Sequence, residues 1–166
     1  MHVERSLAAL AVVRELGGPV VDVGSGGGAP GLPLAAALPE REVTLLEANG
    51  RKVAFLERIA QEFPNVRVVR GRAEEQELET YGVAVAKALA PPPAAAELCL
   101  PLVWVGGAAV LFVGPSADRA PVGVVAKRLG GGSPEGREGL LVIPKIAATP
   151  PGFPRRPGMA RKRPLA

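Results

Sequence analysis

The run Asp22-Val23-Gly24-Ser25-Gly26-Gly27-Gly28-Ala29-Pro30-Gly31 constrains this chain more than any other stretch. The apolar residues Pro19-Val20-Val21 before it read as a short buried strand, and Leu32 to Leu38 after it read as a helix. Glycines let the backbone turn tightly and let a ligand approach the main chain. A helix start offers unpaired N–H groups and a partial positive charge to an anionic group. Pro30 and Pro33 fall where the first helical turn is expected, and proline suits that place because its missing N–H would have no partner there. Strand, glycine loop and helix start together form a nucleotide pocket. The plainer alternative is a glycine-rich turn without a ligand, and the flanking elements decide against it.

Glu47 adds to the pattern. It closes a second apolar strand, Val43-Thr44-Leu45-Leu46, and lies 19 residues after Gly28. An acid at the tip of the second strand accepts hydrogen bonds from ribose hydroxyls. The rest of the chain alternates in the same way. Leu7, Leu10, Val13 and Leu16 form a helical stripe over 6–16, closed by Gly17-Gly18. Asn49 caps a helix whose face is Val53, Leu56, Ile59 and Phe63 and which Pro64 ends. Further strands are expected at 66–69, 83–85, 108–113 and 140–143, and further helices at 94–102 and 121–129. Residues 129–139 read as a glycine-rich loop. The expected fold is α/β, a mostly parallel sheet with helices on both faces and a ligand at the carboxyl ends of the strands.

At 166 residues the chain makes one domain with a real core, built from Val, Leu and Ala because only 4% of residues are aromatic. The single cysteine, Cys99, excludes an internal disulfide and fits a reducing, cytoplasmic compartment. It sits in an apolar run and reads as a buried inert thiol. No secretory signal is expected from an N-terminus carrying His2, Glu4 and Arg5. The uncharged 20 residues between Glu97 and Asp118 are long enough to span a membrane, but Pro101, Gly106, Gly107, Gly114 and Pro115 divide them. The net charge of +4 is uneven. Five of the 20 basic residues, Arg155, Arg156, Arg161, Lys162 and Arg163, lie in 151–166, which leaves 15 bases against 16 acids before them. Residues 1–150 therefore read as the folded body and 151–166 as a basic, proline-rich tail, either part of the same domain or flexible. Such a tail suits a polyanion such as RNA, or is simply a solvated segment.

Two cofactor classes use this scaffold. The spacing Gly24-x-Gly26-x-x-Ala29 is compatible with a dinucleotide. Asp22 favours S-adenosylmethionine: a dinucleotide strand carries an apolar residue there, whereas methyltransferases carry an acid near the methionine amino group. The loop is also looser than a pyrophosphate clamp, and Gly71-Arg72-Ala73-Glu74 offers an amide and a carboxylate to an adenine edge. Taken alone, Glu74 and Glu75 are equally a solvated helix start.

Several motifs resemble the bacterial small-subunit (16S) ribosomal RNA guanosine-N7 methyltransferases, the glucose-inhibited division protein B family. They are His2-x-x-x-Ser6-Leu7, the loop from Asp22 to Leu34, Thr44 to Glu47 with Arg51-Lys52-Val53-x-Phe55-Leu56, Asn65 to Glu75, Tyr81 to Pro91, and the tail from Pro144-Lys145 to Leu165. The resemblance is close over 2–91 and 139–165. It implies a Rossmann-like class I S-adenosyl-L-methionine-dependent methyltransferase, acting as a monomer on ribosomal RNA or the small subunit, with no membrane and no metal. By residue match it implies cofactor contacts at Gly24, Gly26, Gly28 and Ala29, the ribose at Glu47, the adenine at Ala73 and Glu74, and a positioning role near cofactor and substrate for Lys87. Arg155, Arg156, Arg161, Lys162 and Arg163 would meet RNA phosphates. The chain departs from the family at Ala29 (usually larger and apolar), Gly82 (usually Asp) and Lys87 (usually Arg). It also begins at the His2 motif, where the family carries a preceding helical extension, so part of the RNA-docking surface is expected to be missing. Guanine N7 has a free lone pair, so methyl transfer to it reduces to positioning and electrostatics without a general base. At the level of sequence two other readings stay open: a non-catalytic relative that binds S-adenosylmethionine or RNA, and a nicotinamide-dependent oxidoreductase.

Overall fold

The computed structural model describes residues 2–166. The chain opens with two short helices, α1 (His2–Leu7) and α2 (Leu10–Glu15). The glycine-flanked strand is β1 (Val20–Val23), followed by α3 (Gly31–Ala37), β2 (Val43–Glu47), α4 (Gly50–Ala60) and β3 (Val66–Arg70). Next come β4 (Tyr81–Lys87), α5 (Pro92–Cys99), β5 (Val103–Phe112), α6 (Arg119–Arg128), β6 (Glu135–Arg137), β7 (Leu140–Pro144) and α7 (Met159–Lys162). The seven strands form one sheet in the order β3-β2-β1-β4-β5-β7-β6. The first five run parallel, and β7 and β6 are antiparallel additions at one edge.

The pleat divides the core between the two faces. Val83 and Val85 of β4 and Ala108 and Val110 of β5 face the side covered by α2 and α3. Ala84, Ala86, Ala109 and Leu111 face the side covered by α5 and α6. Every residue of β1 and β2 is buried, as expected for parallel strands covered on both faces. Asn49 caps α4 as its sequence position indicates, accepting hydrogen bonds from the backbone N–H groups of Arg51 and Lys52.

Five elements differ from the sequence expectation, of which β4 differs only in running two residues further at each end. The helix expected over 6–16 is two helices, because the turn breaks between Leu7 and Leu10. The helix expected over 94–102 starts earlier, at Pro92, and ends in a 3₁₀ turn at Leu100–Leu102. The strand expected from 108 begins at Val103: Tyr81 pairs with Val103 and Val83 with Ala108, so β5 carries five steps against two on β4 and bulges outward. Residues 135–137, expected as loop, form β6, an exposed edge strand without an apolar residue to mark it. The tail is packed. Phe153 and Leu165 lie against the α5–α6 side of the core, and Ala160 of α7 is buried. Among the described residues no helix is long and apolar enough to cross a membrane.

Gly82, one of the departures from the family pattern, has a structural reason. A Cβ there would stand 1.8 Å from the carbonyl oxygen of Gly17, and that neighbour is backbone that cannot swing aside. The amino end of β4 thus presses directly on the α2–β1 turn. Gly82→Ala is expected to cost about 3 kcal/mol, the range of an overpacked core. Urea unfolding followed by circular dichroism will show it as a lower midpoint at unchanged slope.

Candidate active site

Strand order reverses between β1 and β4, and the loops that follow β1 to β4 open at that crest. They enclose a cavity of about 730 Å³. Gly24 and Gly26 line it, and the backbone turns left-handed at both, with φ of 70° and 56°. At Gly24 a Cβ would also meet Leu89 Cδ1 at 2.6 Å, so the position requires glycine on two grounds. Ala29 lines the cavity as well. Gly28 does not: it is buried beneath the loop, where a Cβ would meet Leu32, and its N–H donates to the Ser25 carbonyl. Of the five glycines in the run, Gly24, Gly26 and Gly27 line the cavity, while Gly28 and Gly31 lie beneath it.

Glu47 holds the site together. Its Oε1 accepts from the Gly26 N–H at 2.8 Å and its Oε2 from the Asn49 N–H at 2.8 Å. A carboxylate offers about four acceptor sites, so both oxygens keep capacity toward the cavity that Glu47 lines. Ala73 and Glu74 line it from the 3₁₀ turn after β3. Glu74 Oε1 accepts from the Gly158 N–H at 3.3 Å and lies 3.6 Å from the Arg72 guanidinium. Lys87, the last residue of β4, lines the wall opposite.

Asp22 lies just below. It is 1% exposed, and its Oδ2 accepts from the Gly31 N–H at 3.0 Å. Its Oδ1 is buried without a hydrogen-bond partner. Burial, and to a lesser degree the Glu47 charge, push the carboxyl up to about 7 against the hydrogen bonds from Gly31 and Ser25 and the Lys87 charge. A buried acceptor without a donor, flanked by the cavity residues Val23 and Ser25, suits a ligand that brings a cation.

The five tail cations part company. Arg155 forms a bidentate pair with Glu97, Nε to Oε1 at 2.5 Å and NH2 to Oε2 at 2.7 Å, and Glu97 is 4% exposed. Its guanidinium is half-buried and committed to that carboxylate. Arg161 lines the cavity wall and donates to the Leu89 carbonyl. Arg156, Lys162 and Arg163 are exposed. Sequence reasoning missed the role of Lys145, whose fully buried ammonium donates to the carbonyls of Leu100 and Val103 and to Thr149 Oγ1. Burial also pushes the Cys99 thiol well above its ordinary range, which keeps it unreactive.

The open sheet, the glycine loop and the acid on β2 define a Rossmann-like methyltransferase fold. A solved S-adenosylmethionine-dependent O-methyltransferase from Thermotoga maritima shares it, with a TM-score of 0.67 over 89% of this chain and 66% of that one at 15% identity. The family model of the rRNA small subunit methyltransferase G proteins (GidB) matches residues 1–120, and the chain belongs to that family. It is 38% identical to the ribosomal RNA small subunit methyltransferase G of a Synechococcus strain (JA-2-3B'a(2-13)) over 87% of its own length. A Moorella thermoacetica protein of the same name is 36% identical over 88% of this chain and 69% of its own. The chain spans 63% of the length of the Synechococcus relative. Family membership disfavours the oxidoreductase reading.

Two expectations follow. A carboxyl whose native pKa lies above its unfolded value of 3.8 adds stability at low pH, and that contribution is lost as the pH rises through about 7. Asp22→Asn is therefore expected to flatten the decline in stability between pH 5 and pH 8 by about 2 kcal/mol, read from urea midpoints at the two values. Arg155→Ala strands the buried Glu97 carboxylate and is expected to cost about 3 kcal/mol. Thermal unfolding should show that loss largely recovered in the double variant Arg155→Ala/Glu97→Ala.

Proposed function

We propose that the chain is the methyl-transfer unit of an S-adenosyl-L-methionine-dependent enzyme that methylates N7 of a guanosine in small-subunit (16S) ribosomal RNA. The reading is carried by one observation: the glycine loop, Glu47, the Ala73–Glu74 turn and Lys87 all line a single cavity at the crest of the sheet. The family and the names of its relatives support the RNA substrate.

In this reading Gly24, Gly26 and Ala29 let the cofactor lie against the main chain, with Gly28 setting the turn. Glu47 accepts from the ribose hydroxyls, Ala73 and Glu74 meet the adenine, and Asp22 Oδ1 takes the amino group. The bound cofactor supplies an electrophilic methyl group on a sulfonium. The protein's part is to hold the guanosine with its N7 lone pair toward that methyl and to keep water away. N7 carries no proton to remove, so no side chain need act as a base. Lys87 supplies a point charge for a phosphate or the guanine O6. Arg156, Lys162 and Arg163, exposed on the tail, hold RNA phosphates in a salt-dependent way. A location among ribosomes in the cytoplasm fits that substrate.

The test is transfer of labelled methyl groups to naked 16S rRNA and to small subunits, with the product mapped by cleavage at 7-methylguanosine. Gly24→Asp adds a side chain where the backbone is left-handed and Leu89 is close, and it is expected to cut incorporation about a hundredfold. Equal incorporation by this variant would overturn the assignment.

A further inference from the structure

A second cavity, of about 440 Å³, adjoins the first. Its walls are the β4–α5 turn on one side and α7 with the residues after it on the other. Ala88, Leu89 and Arg161 line both cavities, so the two share a wall. The remaining walls are small and apolar, among them Ala90, Pro91, Pro93, Ala160 and Pro164. Arg161 has the one charged side chain among the described residues that line it, and its guanidinium bonds to the Leu89 carbonyl at the junction. Ala88 is held left-handed at φ 54° at the same junction, a strain that costs free energy and that a surrounding fold must maintain.

We propose that this second cavity is the acceptor subsite, built for one purine nucleotide turned out of its RNA strand, with Arg161 gripping its phosphate. The inference rests on the methyl-transfer reading above and adds where the acceptor sits and what holds it. A base inside a folded strand cannot reach a methyl donor enclosed at the crest of the sheet, so the nucleotide must be extruded. An extruded base needs flat apolar walls and little else, and proline and alanine provide them. The size fits pockets that take small ligands. A guanidinium has five donors in a fixed fork, so the bond to Leu89 leaves others for phosphate oxygens. Lys87 lines the first cavity, where it can reach the guanine edge, and Arg161 is the cation that lines the second.

The experiment uses the whole chain with S-adenosylhomocysteine bound, titrated calorimetrically with guanosine and with guanosine 5′-monophosphate. The monophosphate is expected to bind about tenfold tighter than the nucleoside, the size of a charge-assisted contact. Arg161→Ala should erase that difference while leaving nucleoside affinity within about twofold. Ala90→Leu, which fills the cavity away from the cofactor wall, should abolish binding of both and raise the KM for RNA. Its affinity for S-adenosylhomocysteine should be unchanged, and this also reports that the variant is folded. Retention of the phosphate preference by Arg161→Ala, or full nucleotide binding by Ala90→Leu, would overturn the subsite. Failure of the unaltered chain to bind S-adenosylhomocysteine would overturn the underlying methyl-transfer reading instead.

Discussion

The Glu47 carboxylate joins the two loops on which the site depends. One oxygen holds the Gly26 N–H and the other the Asn49 N–H, at 2.8 Å each. Without the first bond, a loop with three left-handed glycines would have little to select one shape, because glycine loses more freedom on ordering than any other residue. The second bond sets the residue that caps α4, so the same side chain fixes the start of a helix and the floor of the cavity. Both bonds go to a carboxylate whose residue is only 8% exposed, and hydrogen bonds to a carboxylate are among the strong ones. A role toward ribose and a role in shaping the loop are therefore not alternatives at this position. The loop bonds orient the carboxylate, and orientation is what makes its remaining lone pairs useful.

The parallel half of the fold was legible because its signals are local. Strands β1 and β2 are apolar but for Asp22, Thr44 and Glu47, α4 is a capped amphipathic helix ended by proline, and the glycine loop joins a strand to a helix start. The parts that were not legible depend on contacts distant in sequence. Tyr81 and Gly82 belong to β4 although glycine weakens a strand, because the main chain of Gly17 leaves room for nothing larger. β6 has no apolar face and exists only because β7 offers a partner. In the site, the positions of Gly24, Gly26, Glu47 and Lys87 around one cavity follow from strand order, which the alternation of elements implied. That Gly28 points away from the cavity does not follow from its place in the motif, since the motif records spacing and not direction.

The tail shows the same limit more sharply. Composition groups Arg155, Arg156, Arg161, Lys162 and Arg163 as one basic cluster. In the structure they take three situations, and the partner decides which. Glu97 is uncharged-run flanked in sequence and buried in α5, so it must have a cation, and Arg155 supplies it from 58 residues away. The Leu89 carbonyl, in the turn after β4, draws Arg161 to the cavity wall. Arg156, Lys162 and Arg163 are exposed with no bond to the cavity wall, and Arg161 is exposed while bonded to Leu89, so the cations without a partner in the cavity wall or α5 are fewer than composition alone groups. The first two situations matter to the site as much as the third. Gly158 donates to Glu74 on the cavity rim, and Arg155 anchors the segment just before it. A tail tied at Glu97, Glu74 and Leu89 cannot leave without removing part of the cavity wall. Any polyanion that engages its exposed cations therefore acts on a segment already bound to the floor of the fold, and RNA docking and cofactor enclosure become properties of one packed element.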